Sequence, residues 1–251
     1  MNNKKLANKL DQFLEIHQFK DYCPNGLQIE GKAEVKKIIT GVTACQALID
    51  FACAENADAI LVHHGFFWKG EAQQITGMKH KRIKSLLDKD INLYAYHLPL
   101  DVHPELGNNA QLAQLLGITD RRPLEPWDKR SVGRVGKFEK AITPDALTAR
   151  IESVLARKPL HIDGGKKDIK SVAWCTGSGE DYINIAAEQG IDAFISGEVS
   201  ERTVHIAREM GIHFYAAGHH ATERYGVKAL GEWLETEFDF EVTFIDIDNP
   251  V

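Results

Sequence analysis

Three groups of side chains stand out for their chemistry: the adjacent pair His63 and His64, the pair His97 and Asp101, and the pair His219 and Glu223. Imidazole nitrogen combined with carboxylate oxygen suits zinc, manganese, iron, cobalt or nickel, whereas calcium takes mostly oxygen ligands. Neighbouring residues on an ideal strand point to opposite faces, so His63 and His64 share one ion only if the backbone turns, which Gly65 would permit. Alternatively each histidine serves its own ion, with Asp101 or Glu223 completing the set, as in hydrolases whose two ions lie about 3.5 to 4 Å apart. Two ions are expected on this arrangement. On a helix His219 and Glu223 would share one face, and His220 would point elsewhere. Pro99 lies between His97 and Asp101 and argues against a regular helix there; His97 is either a ligand or a base and hydrogen-bond partner beside the ions.

Weaker signals lie nearby. Residues 174–180 (WCTGSGE) combine Thr176, Gly177, Ser178 and Gly179 after a strand, where backbone amides could meet a substrate anion or simply form a tight turn. The run lacks the Walker ending and the GxGxxG spacing. Glu198 is either a substrate contact or proton shuttle, or else a helix cap or surface ion pair, and Trp68 and Lys69 either border a cleft or pack. The isolated His17, His80, His103, His161, His205 and His213 are read as structural or surface residues.

The elements that must position these groups alternate. Leu6, Leu10, Phe13 and Leu14 mark an opening amphipathic helix with Asn2 or Asn3 as cap, and CPNG at 23–26 ends it. Strands are expected at 37–42, 59–63 and 91–96, with helices at 44–56, 79–87 and 108–116 between and after them. That alternation is the pattern of parallel βαβ units, in which functional groups gather beyond the carboxyl ends of the strands. A second copy follows: ADAIL at 57–61 matches IDAFI at 191–195, and Leu93-Tyr94-Ala95 matches Phe214-Tyr215-Ala216. The fold class expected is therefore α/β, with two similar βαβ-type lobes from an internal duplication and the site in the cleft between them. Residues 1–125 form the first lobe, and 126–251 a connecting subdomain and the second lobe. The insertion at 121–167 carries a strand at 131–138 and a helix started by Thr143-Pro144-Asp145 and ending near Arg157. A last strand at 241–247 could join either sheet.

Composition narrows the function classes. The chain is 43% hydrophobic and 26% charged, with a formal charge of −6, which supplies no general attraction for nucleic acid. No apolar run approaches the roughly 20 residues a membrane span needs, and no signal peptide opens the chain, so a cytoplasmic protein is expected. Cys23, Cys45, Cys53 and Cys175 form no CxxC pair, which disfavours a thiolate zinc site or a disulfide framework.

The strings HHGFFWKG, HLPLDVHPELGNNAQLAQLLG, AWCTGSGEDYI and AAGHHATERYG closely resemble, in the same order, the Nif-three-like family, whose members are often labelled GTP cyclohydrolase type 2 homologues. The likeness spans nearly the whole chain and lacks the large central insertion of some relatives. It implies a two-lobed α/β fold, a toroidal homohexamer and a dinuclear metal centre facing its interior. The family's ligands fall on His63, His64, Asp101, His219 and Glu223, with Glu223 bridging both ions and His97 near the site.

Together these readings predict a hydrolase dependent on two divalent transition-metal ions (zinc, iron, manganese or nickel), acting on a cyclic or amide-type C–N bond in a small molecule such as the purine nucleotide GTP. His97 and Glu198 would move protons, and Lys and Arg side chains or the TGSG turn would hold phosphates. The alternative is a ring that binds or delivers metal without catalysis. A nucleic-acid-binding ring would need a basic inner face.

Overall fold

A computed structural model describes residues 1–165 and 168–251, so the last two residues of the expected insertion lie outside the described residues. The chain divides into two compact units, Met1–Gly107 with Gly226–Asp248 and Asn108–Tyr225 with Asn249–Val251. This replaces the division at residue 125: the strand at Thr119–Pro123 pairs with the sheet of the second unit, and the last helix and strand return to the first.

In chain order the first unit contains α1 (Asn3–Phe13), β1 (Gly26–Ile29), β2 (Lys37–Thr43), α2 (Gln46–Ala54), β3 (Ala59–His64), α3 (Gly77–Asp88), β4 (Asn92–Ala95) and α4 (Leu98–Val102). The second contains α5 (Asn108–Leu116), β5 (Thr119–Pro123), β6 (Arg134–Ile142), α6 (Pro144–Leu155), β7 (Leu160–Ile162), β8 (Ile169–Cys175), α7 (Ile183–Glu188), β9 (Ala193–Ser196), α8 (Glu201–Met210) and β10 (His213–Ala216). The helix α9 (His219–Phe238) starts with residues of the second unit and ends with residues of the first, and β11 (Glu241–Phe244) follows it.

The first sheet runs β1-β4-β3-β2-β11, with β1 antiparallel and the rest parallel. The last strand thus joins the first sheet, beside β2. Its central strands are apolar on both sides because helices cover both faces. Ile38, Leu61 and Tyr94 meet α1 and the end of α9 through Leu6, Leu10, Leu230 and Leu234. Ile39, Ile60 and Leu93 meet α2 and α3 through Leu48, Ile49, Ile83 and Leu86. Asn2 caps α1, its Oδ1 accepting from the amides of Lys4 and Lys5 at 3.1 and 3.3 Å.

The second sheet runs β5-β6-β8-β9-β10-β7. Trp174, Ile195 and Tyr215 pack with α5 and α6 on one face, and Ala173, Phe194 and Phe214 with α7 and α8 on the other. Thr143 caps α6 by accepting from Ala146 N at 3.2 Å, with Pro144 in the first turn as its sequence signal predicts. The sheets share a sub-order, β1-β4-β3-β2 and β7-β10-β9-β8, each with an antiparallel edge strand beside the third parallel strand.

The correspondence reaches individual residues. Ala59 pairs with Asn92 in one sheet and Ala193 with His213 in the other. Asn92 Oδ1 accepts from Gly31 N at 2.9 Å, and His213 Nδ1 accepts from Gly164 N at 3.2 Å. Asp58 Oδ2 accepts from the amides of Lys36 and Lys37, both at 3.0 Å, and Asp192 Oδ2 from those of Lys170 and Ser171 at 3.1 and 2.9 Å.

Candidate metal centre

In the first unit β3 ends on His63, which is fully buried, and on the half-buried His64. His63 Nδ1 lies 2.9 Å from the Tyr96 carbonyl, which can only accept; Nδ1 therefore carries a proton, and Nε2 is the nitrogen turned to Asp101. Nε2 lies 3.4 Å from Asp101 Oδ1. His64 Nδ1 lies 3.1 Å from Thr43 Oγ1. Although the two histidines are neighbours on a strand, their ring centroids are only 4.5 Å apart. The chain turns at Gly65, where a Cβ would meet Gln28 Oε1 at 2.3 Å and Ala95 Cβ at 2.6 Å, so only glycine fits. Gln28 holds the turn, accepting from Phe66 N at 2.7 Å and donating to the Phe66 carbonyl at 3.2 Å.

Asp101, nearly buried, sits on α4, a short helix that forms despite Pro99. Proline lies in the first turn, where its missing N–H has no helical acceptor to serve, so the expectation of an irregular segment is corrected. His97 precedes the helix. Its ring lies 5.1 Å from that of His63 and 5.8 Å from that of His64, and one ligand atom from each of the three falls within 4.8 Å of the others. His97 Nδ1 is 2.7 Å from Asp21 Oδ1. Burial opposes the charge on Asp21, but the bonds from His97, Asn25 and Tyr22 outweigh it and hold the carboxyl below its usual range.

In the second unit His219 opens α9 and Glu223 follows one turn on, Nε2 to Oε2 3.1 Å, as the helical spacing predicts. Glu198 approaches the other nitrogen, Oε1 to Nδ1 2.6 Å. Burial works against a charged His219, but Glu223 and Glu198 prevail and push its pKa up to about 9. An imidazole pinned between two acids in this way is a place where positive charge is stabilised. Ser200, not Glu198, caps α8.

The TGSG segment forms a tight turn tied into the fold. The amides of Thr176, Gly177 and Gly179 are bonded to Asn109 Oδ1, Thr222 Oγ1 and Ser196 Oγ at 3.1, 3.0 and 3.2 Å, so they do not face an anion; Ser178 is exposed. What the turn supplies is room. A Cβ on Gly177 would lie 2.0 Å from Glu223 Oε1 and 3.1 Å from His219 Nε2.

The donor sets fit borderline divalent metals. The first unit offers His63, His64 and Asp101, and the second His219 and Glu223, all nitrogen and carboxylate oxygen with no thiolate among them. Asp21, Asn25 and Gln28 were not singled out by spacing. Their only sequence signal is the side-chain-rich turn around CPNG, a common feature of loops.

Residues 1–250 match the Duf34/NIF3 (NGG1p interacting factor 3) family. The chain belongs to this family. A protein of Pasteurella multocida called "GTP cyclohydrolase 1 type 2 homolog" is 62% identical over 251 residues, covering 100% of both chains. Among solved structures, the family member titled protein ybgI, of unknown function, is 55% identical with a TM-score of 0.96 and full coverage of both chains. TTHA1606 from Thermus thermophilus is 35% identical with a TM-score of 0.91, again over 100% of each chain. Among the described residues of this family member, no helix is long and apolar enough to cross a membrane.

Proposed function

We propose that this protein is a hydrolase dependent on two divalent transition-metal ions, cleaving a cyclic or amide-type C–N bond in a small molecule such as GTP. His63, His64 and Asp101 of the first unit and His219 and Glu223 of the second would hold the ions. The observation that carries this reading is that each unit assembles imidazole and carboxylate just beyond its parallel strands: His63 Nε2 3.4 Å from Asp101 Oδ1, and His219 Nε2 3.1 Å from Glu223 Oε2. The name shared by the relatives supplies the substrate class. We also infer a cytoplasmic protein, an internal duplication behind the two sheets, and a toroidal homohexamer.

Bound there, the ions would supply Lewis acidity that polarises the scissile group and brings the pKa of water towards neutrality. The residues of the chain do the rest. His63 is held in one tautomer by the Tyr96 carbonyl, and Gln28 keeps the turn after His64 in place. His97 takes up a proton at Nε2, while Glu198 holds or passes one at His219 Nδ1.

Incubation of metal-loaded protein with GTP, assayed for formate and a pterin product, tests the reading. Turnover above a His63→Ala control is expected. Its absence across GTP and a panel of amides, together with transfer of metal to an apo-acceptor, would favour the non-catalytic metal-delivery ring.

A further inference from the structure

We propose that Asp21 is a positioning residue that fixes His97 with its proton on Nδ1, so that the Nε2 lone pair is the one turned to proton transfer; this rests on the hydrolase reading above and names what sets its base. The carboxylate is built into its place. Oδ1 accepts from Tyr22 N at 2.6 Å and from His97 Nδ1 at 2.7 Å. Oδ2 accepts from Leu98 N and from Asn25 Nδ2, both at 2.9 Å. Asn25 cannot exchange its amide atoms, because its Oδ1 accepts from His97 N at 2.7 Å. The side chain of Asp21 is 4% exposed and that of His97 15%.

Every donor around the carboxylate is thus committed except the imidazole, which alone can carry its proton on either nitrogen. Against an ionised, acceptor-only group the proton must sit on Nδ1. No described residue bonds Nε2, and the ring lies beside His63 and His64, with the Trp68 ring at 5.0 Å closing another side. An imidazole whose far nitrogen donates to a carboxylate is held in one orientation and one tautomer. In the step assigned to it, an O–H bond of the attacking water breaks as N–H forms at Nε2. The resulting imidazolium lies against the Asp21 carboxylate, which keeps its negative charge.

The contrast between Asp21→Asn and Asp21→Glu tests this. An asparagine cannot satisfy both sides: its NH2 would face two fixed donors, Leu98 N and Asn25 Nδ2, at the Oδ2 position but one, Tyr22 N, at the Oδ1 position, so it would turn its NH2 towards His97 and drive the ring proton to Nε2. Long-range proton–nitrogen NMR of ring-labelled, metal-free protein reads the tautomer directly. We expect Nδ1–H on His97 in the wild type, Nε2–H in Asp21→Asn and a return to Nδ1–H in Asp21→Glu, with His63 unchanged as the report of an intact strand end. With metal loaded and GTP as probe, Asp21→Asn should lower kcat by on the order of 10²-fold at unchanged metal content. An Nε2–H tautomer in the wild type overturns the proposal even if Asp21→Asn fails to fold, as does an Asp21→Asn spectrum identical to wild type. A correct tautomer pattern without GTP turnover in any variant leaves the positioning intact and counts against the hydrolase reading instead.

Discussion

Gly177 leaves no side chain between its own turn and the carboxylate of Glu223: a Cβ there would sit 2.0 Å from Oε1. The glycine also has φ +64, a region in which an L-residue costs about 1 to 2 kcal/mol. Gly177→Ala should therefore lower thermal stability by roughly that amount and displace Glu223. Metal analysis after dialysis checks the second effect; undiminished metal content would separate Glu223 from the ions.

Metal stoichiometry tests the assignment of ligands. Wild-type protein should retain about two equivalents of divalent metal, by the paired-ion argument. His63→Ala and His219→Ala should each retain fewer, and a chelator should lower the melting temperature of the wild type more than that of either variant. Equal metal content in all three would remove these residues from the ligand set.

Asn92 is buried and forms four hydrogen bonds: its Oδ1 accepts from Asn3 Nδ2 and Gly31 N, and its Nδ2 donates to the carbonyls of Lys32 and Asp58. Asn92→Ala strands several of these partners at once, and each stranded buried group costs about 1 to 3 kcal/mol. Urea unfolding should show a loss of about 3 kcal/mol or more. A loss below about 1 kcal/mol would mean that water replaces the amide.

Acid should find Asp58. Burial opposes its charge, yet Lys32, 2.8 Å away, and the amides of Lys37 and Lys36 more than offset this, so its pKa is lowered on folding. A carboxyl depressed in this way contributes stability that is complete above its unfolded pKa and is lost as pH falls through the folded value. Asp58→Asn should be less stable than wild type near pH 7, and the gap should close in acid below the usual aspartate range. Melting curves across that window decide, and a constant gap would deny the linkage.

Much of this was legible beforehand where sequence and physics speak together. The buried parallel strands announced themselves as apolar runs, and His63-His64 stood out because polar residues ended such a run. The helical spacing of His219 and Glu223 carried straight into geometry. Less was visible at the edges. β1, β5 and β7 are short or exposed, with little apolar periodicity to read, and the sheet joined by β11 depends on packing of the preceding helix. Pro99 misled because a proline breaks a helix only beyond its first turn. Asp21 was hidden because nothing in a 76-residue separation reveals that it meets His97.

The brevity of α4 has a consequence for how this chain tolerates change. Asp101 owes its bearing to a single turn starting at Leu98, and each residue of a helix advances the side-chain direction by about 100°. One residue inserted or deleted between His97 and Asp101 would swing the acid away from His63 without replacing any of the candidate side chains. Exposed residues 69–76 carry no such angular constraint, so length variation should accumulate there and vanish from the stretch between His97 and Asp101 that aims the carboxylate.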